Sequence, residues 1–388
     1  MHRNDLFNAT LVAVAIAIGW IGWSGAPLAL PLSAAFPCLW SMARSRLIAA
    51  FVSAGYFLAA SRGLPQGVTT FYGADFWPGV LLWGAASLGF VSVHAVLWTS
   101  TSGWQRAARY VGAAVLMAIP PFGIVGWAHP VTAAGIVFPG WGWTGLAAMA
   151  FSLAVMTTRF WPAAAIALTG FWFWSAAQWT SQTLPPSWHG VDTTLGTSLG
   201  RSIDLKLQRD LVGKVRSAGQ SRGDIVVLPE SALGFWTPTV ERLWVHELRA
   251  TGVTVLAGAA VLDERGYDNV LVAISSAGSR IVYRERMPVP GSMWQPWLGL
   301  FDTGGGARAQ FFDTPVIHVG AARIAPLICY EQLIVWPVLQ SMLHHPDVIV
   351  AVGNGWWTAG TSIVDIQQAS TMAWARLFYK PLVFSFNT

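Results

Sequence analysis

The chain has 388 residues, of which 54% are hydrophobic and 11% charged, with 23 tryptophans and a formal net charge of +5. Soluble domains carry about 25% charged residues, so much of this chain cannot be water-exposed surface. Residues 1–180 hold seven arginines, no lysine, no glutamate and only Asp5 and Asp75, which accounts for the whole +5, while residues 181–388 carry 16 basic and 16 acidic residues. The basic balance is therefore a membrane signal. A neutral second half argues against direct nucleic acid binding, which clusters basic residues on soluble surface.

A spanning helix needs about 20 mainly apolar residues. Taken in chain order, Leu6–Trp23, Ala26–Met42, Leu47–Ser61, Phe76–Trp98, Tyr110–Trp127, Val137–Thr157 and Phe160–Trp179 are the candidates. They predict an all-α membrane bundle of about seven transmembrane helices over residues 1–179. Backbone groups freed by Pro31, Pro37, Pro120 and Pro121 must find partners inside the bundle, because lipid offers none. With the N-terminus in the cytoplasm, inside loops hold Arg3, Arg44, Arg46, Arg106, Arg109 and Arg159, and outside loops hold only Arg62. That bias, with an odd number of spans, places the second half outside. Tryptophans near the span ends, Trp20, Trp23, Trp98, Trp127 and Trp179 among them, read as an interfacial belt. The first span lacks a small-residue cleavage site and reads as an uncleaved anchor.

After a linker at Leu184–Trp188, the second domain is expected over residues 187–388. Strand-like runs are Ile225–Leu228, Val253–Val261, Val270–Ser275 with Arg280–Tyr283 as a hairpin, Val316–Val319, Arg323–Cys329, Val348–Val352 and Leu382–Phe386. Helical patterns fit Ser202–Ala218, Thr239–Thr251, Tyr330–His344 and Ser362–Tyr379. Alternating strands and helices predict an α/β layered fold. The two cysteines, Cys38 in a span and Cys329 in the second domain, are not placed to pair. An unpaired exported cysteine is either buried or used. No Cys/His cluster has metal-ligand spacing, and His344-His345 before Pro346 reads as a loop; neither a metal nor a cofactor is expected.

Two motifs carry chemistry. An apolar strand delivers a glutamate in Ile225-Val226-Val227-Leu228-Pro229-Glu230-Ser231, and about a hundred residues on another delivers a cysteine in Ala325-Pro326-Leu327-Ile328-Cys329-Tyr330-Glu331. With Gly353-Asn354-Gly355-Trp356-Trp357 beyond them, the pattern resembles the nitrilase, or carbon–nitrogen hydrolase, superfamily. Behind a helical membrane domain it is similar to the apolipoprotein N-acyltransferase family. The whole chain resembles the TraB-type conjugal transfer family of Agrobacterium-like plasmids. The resemblance implies an α-β-β-α sandwich at the periplasmic face of the bacterial inner membrane. It implies Cys329 as nucleophile, Glu230 as base, and Tyr330, Glu331, Asn354 and Trp357 around the substrate. A carboxylate can take the thiol proton and return it to the leaving group, and the thioester can pass its acyl group to water or an amine.

Two departures stand out. The family lysine is expected within Tyr283-Arg284-Glu285-Arg286-Met287-Pro288, where Glu285 occupies its position. Arg286 is the expected substitute cation, with Glu285 turned outward toward Arg284. The resemblance also implies a hydrolase domain truncated at its C-terminal end and lacking a final span. Glu331 is expected either to support catalysis or to favour a helix dipole. Trp294 and Trp297 read equally as a lipid-dipping lid or as ordinary loop packing. Two functions remain open. One is a membrane-bound amidase or N-acyltransferase whose partners are the lipid bilayer and a lipid-linked or peptide acyl donor and acceptor. The other is a degenerate scaffold for the conjugation machinery.

Overall fold

A computed structural model describes residues 3–73, 75–196, 205–300 and 305–388. The chain divides into two compact units, the first formed by Met1–Ser181, Leu333–Trp336 and Gly360–Tyr379, the second by Gln182–Gln332, Pro337–Ala359 and Lys380–Thr388. The expected boundary thus shifts, because two segments from beyond residue 187 group with the first unit.

The first unit is helical, yet it departs from seven spans. Among the described residues only Asn4–Gly22 and Phe76–Leu97 are long and apolar enough to cross a bilayer, and Arg46–Ala60 with Leu64–Tyr72 makes a third if that pair, bent by 51°, is one span. The cause lies in the helix breakers. Pro31 and Pro37 leave a 3₁₀ segment, Pro27–Ala35, and a short helix, Phe36–Met42, where one span was expected. Trp104–Ala118 stops before the cis Pro120-Pro121 pair. Gly142–Val155 has 14 residues and Trp161–Ala177 has 17. At about 1.5 Å per residue neither reaches a hydrocarbon thickness of about 30 Å untilted.

Several backbone carbonyls of this unit are met by side chains. Trp23 Nε1 donates to the Tyr56 hydroxyl at 2.8 Å, and that hydroxyl donates to the Ala128 carbonyl at 2.9 Å. Trp40 Nε1 donates to the His94 carbonyl at 2.9 Å, and Arg106 donates to the Ser41 carbonyl at 2.8 Å. His129 Nδ1 accepts from the Val131 N–H, so Nε2 carries the proton and donates to the Ala114 carbonyl at 3.0 Å. Helix Ile363–Leu377 reaches this unit through Gly135, where an added Cβ would lie 1.6 Å from the Ala373 carbonyl oxygen.

The second unit contains two sheets. The first orders β1 (Trp188–Gly190), β2 (Ile225–Val227), β3 (Thr254–Asp263), β4 (Gly266–Ser275) and β5 (Gly278–Arg284). Strands β1–β3 run parallel, while β3–β4 and β4–β5 are antiparallel. The second sheet orders β6 (Ile317–Val319), β7 (Ala322–Ile328), β8 (Val348–Asn354) and β9 (Leu382–Asn387), with β7–β8–β9 parallel. Val227, Leu256 and Leu271 of the first sheet share one core with Ile324, Ile328 and Val350 of the second. The other face of the first sheet buries Val226, Val255 and Val272 against Leu211 and Val215 of helix Leu205–Ala218 and Trp244 of helix Pro238–Leu248. This gives helix, sheet and sheet in layers, with period-2 alternation deciding which residue faces which core.

The expected strands all form, and an unexpected one, β1, begins at the last residue of the expected linker Leu184–Trp188. Residues 202–204 of the expected helix Ser202–Ala218 lie outside the described residues. The expected helix Tyr330–His344 is instead a 3₁₀ turn, Cys329–Gln332, followed by Val335–Met342. Trp294 packs edge-on against Phe311, with ring centroids 5.7 Å apart, while Trp297 is exposed.

Candidate active site

Parallel strands in an α/β fold present their carboxyl ends to ligands. Here β2 leads into Pro229-Glu230, β7 into Cys329 and β8 into Asn354-Gly355. The loop after β2 lies close to β3, where an added Cβ at Gly258 would be 2.5 Å from both Glu230 Cα and Ser231 N. Only glycine lets these backbones approach. Cys329 has φ +45°, in the left-handed region disfavoured for residues with a Cβ, and Ser231 beside Glu230 has φ +59°. Such conformations cost on the order of 1–3 kcal/mol and persist only where the surroundings impose them. The Gln332 amide helps impose the Cys329 turn by donating to the Val352 carbonyl at 2.9 Å.

Glu230 and Cys329 come together: the thiol hydrogen-bonds the Glu230 carboxyl, which also accepts the Asn354 backbone N–H. Asn269 Nδ2, from β4, donates to Glu230 Oε1 at 2.7 Å and to Glu285 Oε2 at 2.9 Å. Burial pushes the Glu230 carboxyl up to about 7, against the pull of these hydrogen bonds and with a further push from Glu331. Burial, then the charges of Glu230 and Glu331, push Glu285 well above the carboxylate range, with Asn269 opposing.

The structure corrects three expectations. Glu285 points inward and is buried; its N–H extends the β4–β5 ladder to the Asn269 carbonyl at 2.8 Å. Arg284 pairs with Asp268 at 3.0 Å and leaves Glu285 alone. Arg286 is fully buried but does not serve as a substitute lysine: its guanidinium donates to the Tyr283 hydroxyl at 2.8 Å, the Pro337 carbonyl and Gln340 at 2.9 Å, and Ser341 at 3.1 Å. Strand β5 ends at Arg284, so the alternation that would oppose Glu285 and Arg286 is broken and both turn inward.

Glu331, expected near substrate or at a helix start, is a structural centre. Its carboxylate accepts the Tyr283 hydroxyl at 2.7 and 2.9 Å and the backbone N–H groups of Arg286 and Ile328 at 2.8 Å. Arg286 Nε lies 3.5 Å from it. Asn354 is half-buried, its side-chain oxygen accepting from Asn387 at 2.9 Å, and Trp357 is half-buried in the turn Trp356–Thr358. Tyr330 is buried in the turn carrying Cys329. Sequence reasoning missed Asn269. Its signal was a polar Asp268-Asn269 pair opening the apolar run Val270–Ser275. Among the described residues no cluster of His, Cys, Asp and Glu could hold a metal ion.

Residues 58–376 match the carbon–nitrogen hydrolase family. A probable conjugal transfer protein TraB of Sinorhizobium fredii is 62% identical over the full length of both chains. The conjugal transfer protein TraB of Agrobacterium fabrum is 60% identical across this whole chain and 94% of its own. Among solved structures, an amidase from Nesterenkonia aligns with a TM-score of 0.36 at 13% identity, covering 51% of this chain and 74% of that one.

Proposed function

The chain belongs to the carbon–nitrogen hydrolase family, together with the TraB conjugal transfer proteins, and from that premise we propose a membrane-anchored thiol amidase or N-acyltransferase serving plasmid conjugal transfer. One observation carries the reading: a strained Cys329 at the end of β7 hydrogen-bonds a buried Glu230 whose proton affinity lies near neutrality. A base matched to the working pH both takes the thiol proton and returns it. The sulfur then attacks an amide or ester carbonyl, the leaving group departs with the proton held on Glu230, and the thioester passes its acyl group to water or an amine.

Membrane anchoring rests on the first unit. Helix Phe76–Leu97 exposes Trp77, Leu81, Leu88 and Val96, an apolar exterior suited to lipid. In this reading the N-terminus is cytoplasmic and the bent pair counts as one span, giving three crossings and a second unit in the periplasm of the bacterial inner membrane, the side that the arginine bias over seven expected spans also favoured. Arg62, the exception to that bias, is used internally: it donates to the Trp23 and Ala59 carbonyls at 3.2 Å and stacks over Trp20. The acyl donor and acceptor are lipid-linked or peptide in this reading, and the conjugation machinery is the wider partner.

Incubating the full-length protein with membranes and weighing the intact chain tests the chemistry. An acyl adduct on Cys329, absent in Cys329→Ala, is expected. No adduct would favour the second reading, a degenerate scaffold, for which a buried carboxyl in place of a cation is the specific support. A reporter fused after Thr388 should be active in the periplasm, and cytoplasmic activity would overturn the orientation.

A further inference from the structure

Glu285 and Glu230 share one donor, the Asn269 amide, and among the described residues neither is paired with a cation: Arg284 pairs with Asp268 and Arg286 with Glu331. Two buried carboxylates joined only by a neutral amide cannot both ionise without large cost, so at least one retains a proton. Glu230 accepts the Asn354 N–H and the Cys329 thiol besides Asn269, whereas Glu285 accepts Asn269 alone, so charge is better supported on Glu230 and the retained proton belongs on Glu285. Glu285 Oε2 already accepts from Asn269, which leaves its proton on Oε1. That oxygen is buried and, like Glu230 Oε2, has no hydrogen-bond partner among the described residues. A neutral acid with an unanswered O–H, beside the carboxyl that holds the nucleophilic thiol, is a donor awaiting an acceptor.

We infer that Glu285 is a neutral carboxylic acid that donates a hydrogen bond from Oε1 to the carbonyl oxygen of the acyl group transferred to Cys329. This deepens the proposed function and rests on Cys329 being the nucleophile. When the Sγ–C bond forms, the carbonyl π pair moves to oxygen, Glu230 takes the thiol proton, and Glu285 stabilises the oxyanion while keeping its own proton. On collapse the C=O re-forms, the bond to the leaving nitrogen or oxygen breaks, and Glu230 returns its proton to that atom. Buried acids held neutral serve as oxyanion donors elsewhere in enzymology, and removing one such donor costs about 10²–10³-fold in rate. The groups around Glu285 are Glu230 from the loop after β2, Asn269 from β4 and Glu331 from the turn after β7, so its ionisation works against two carboxyls.

Two thiol probes separate this role from a structural one. Acrylamide addition builds negative charge on an amide oxygen as the S–C bond forms, whereas iodoacetamide alkylation displaces iodide and builds none. Both rates are read on Cys329 of the full-length protein by peptide mass. Glu285→Leu should slow the acrylamide reaction about 10²-fold and leave the iodoacetamide rate within a few-fold. Glu285→Gln, which keeps a neutral donor, should restore most of the acrylamide rate and remove the alkaline decline of the acrylamide-to-iodoacetamide ratio that ionisation of Glu285 gives the wild type. An unchanged ratio in Glu285→Leu, equal loss of both rates in both variants, or a wild-type ratio flat with pH overturns the inference while the nucleophile stands. A wild-type thiol inert to both probes overturns the nucleophile itself, and this inference with it.

Discussion

Two buried carboxyl groups with opposite surroundings, Glu331 and Glu285, lie within the same unit. Glu331 is met by a phenol, two backbone N–H groups and a guanidinium. Glu285 is met by half of one amide, and its second oxygen has no hydrogen-bond partner among the described residues. Both are buried to about the same degree, at 0% and 1% exposure. Satisfied groups hold a fold together, while a buried group left unsatisfied costs about 1–3 kcal/mol and marks a place where another molecule completes the bonding.

The largest expected effect breaks the contrast on its reactive side. Glu230→Gln should slow acyl-adduct formation on Cys329 by about 10²–10⁴-fold at neutral pH, since the base is lost while the shape is kept. Intact-mass kinetics read it, and an unchanged rate would remove Glu230 from the chemistry. On the satisfied side, Arg286→Ala should destabilise the protein by about 3–5 kcal/mol, because it strands Glu331 as an unpaired buried charge. Denaturant unfolding in detergent measures this. A loss below 1 kcal/mol, with a changed thiol reactivity, would return Arg286 to the reacting atoms.

A pH experiment sharpens the same contrast. Glu230 and Glu285 hold protons more tightly folded than unfolded. Their contribution is therefore fully present below the unfolded carboxylate value of about 4.3. It is lost as pH rises, because the unfolded chain releases protons that the folded chain keeps. For Glu230 the loss runs until pH passes about 7. The melting temperature should fall across that window, and Glu285→Gln should flatten the fall. A slope equal in variant and wild type would mean that Glu285 titrates normally. The smallest effect is expected at the surface, where Arg216 pairs with Glu247 at 2.7 Å and is half exposed. Arg216→Ala should cost about 0.2–1 kcal/mol, as exposed pairs do.

The sequence made the family legible because chemistry that depends on residue type leaves short local motifs. Pro229-Glu230, Cys329-Tyr330-Glu331 and Asn354-Gly355-Trp356 each end an apolar strand, and strand alternation is a local property. The strands of the second unit were likewise readable, save β1, whose three residues pair with β2 across more than thirty positions of chain. Hydropathy located apolar segments in the first unit but overstated the spans, since it counts residues and not the helical continuity that Pro31, Pro37 and the Pro120-Pro121 pair interrupt.

Composition and motif alone determined an apolar helical half, a charge-balanced α/β half and a cysteine–glutamate pair. Only the tertiary structure decided where Glu285 and Arg286 turn, because both lie just past the end of β5, where alternation no longer assigns a face. There the choice falls to hydrogen-bond partners distant in sequence: Pro337, Gln340 and Ser341 take the guanidinium, and Asn269 takes the carboxyl. Residue order specifies a period; long-range pairing of buried polar groups decides what happens where the period ends.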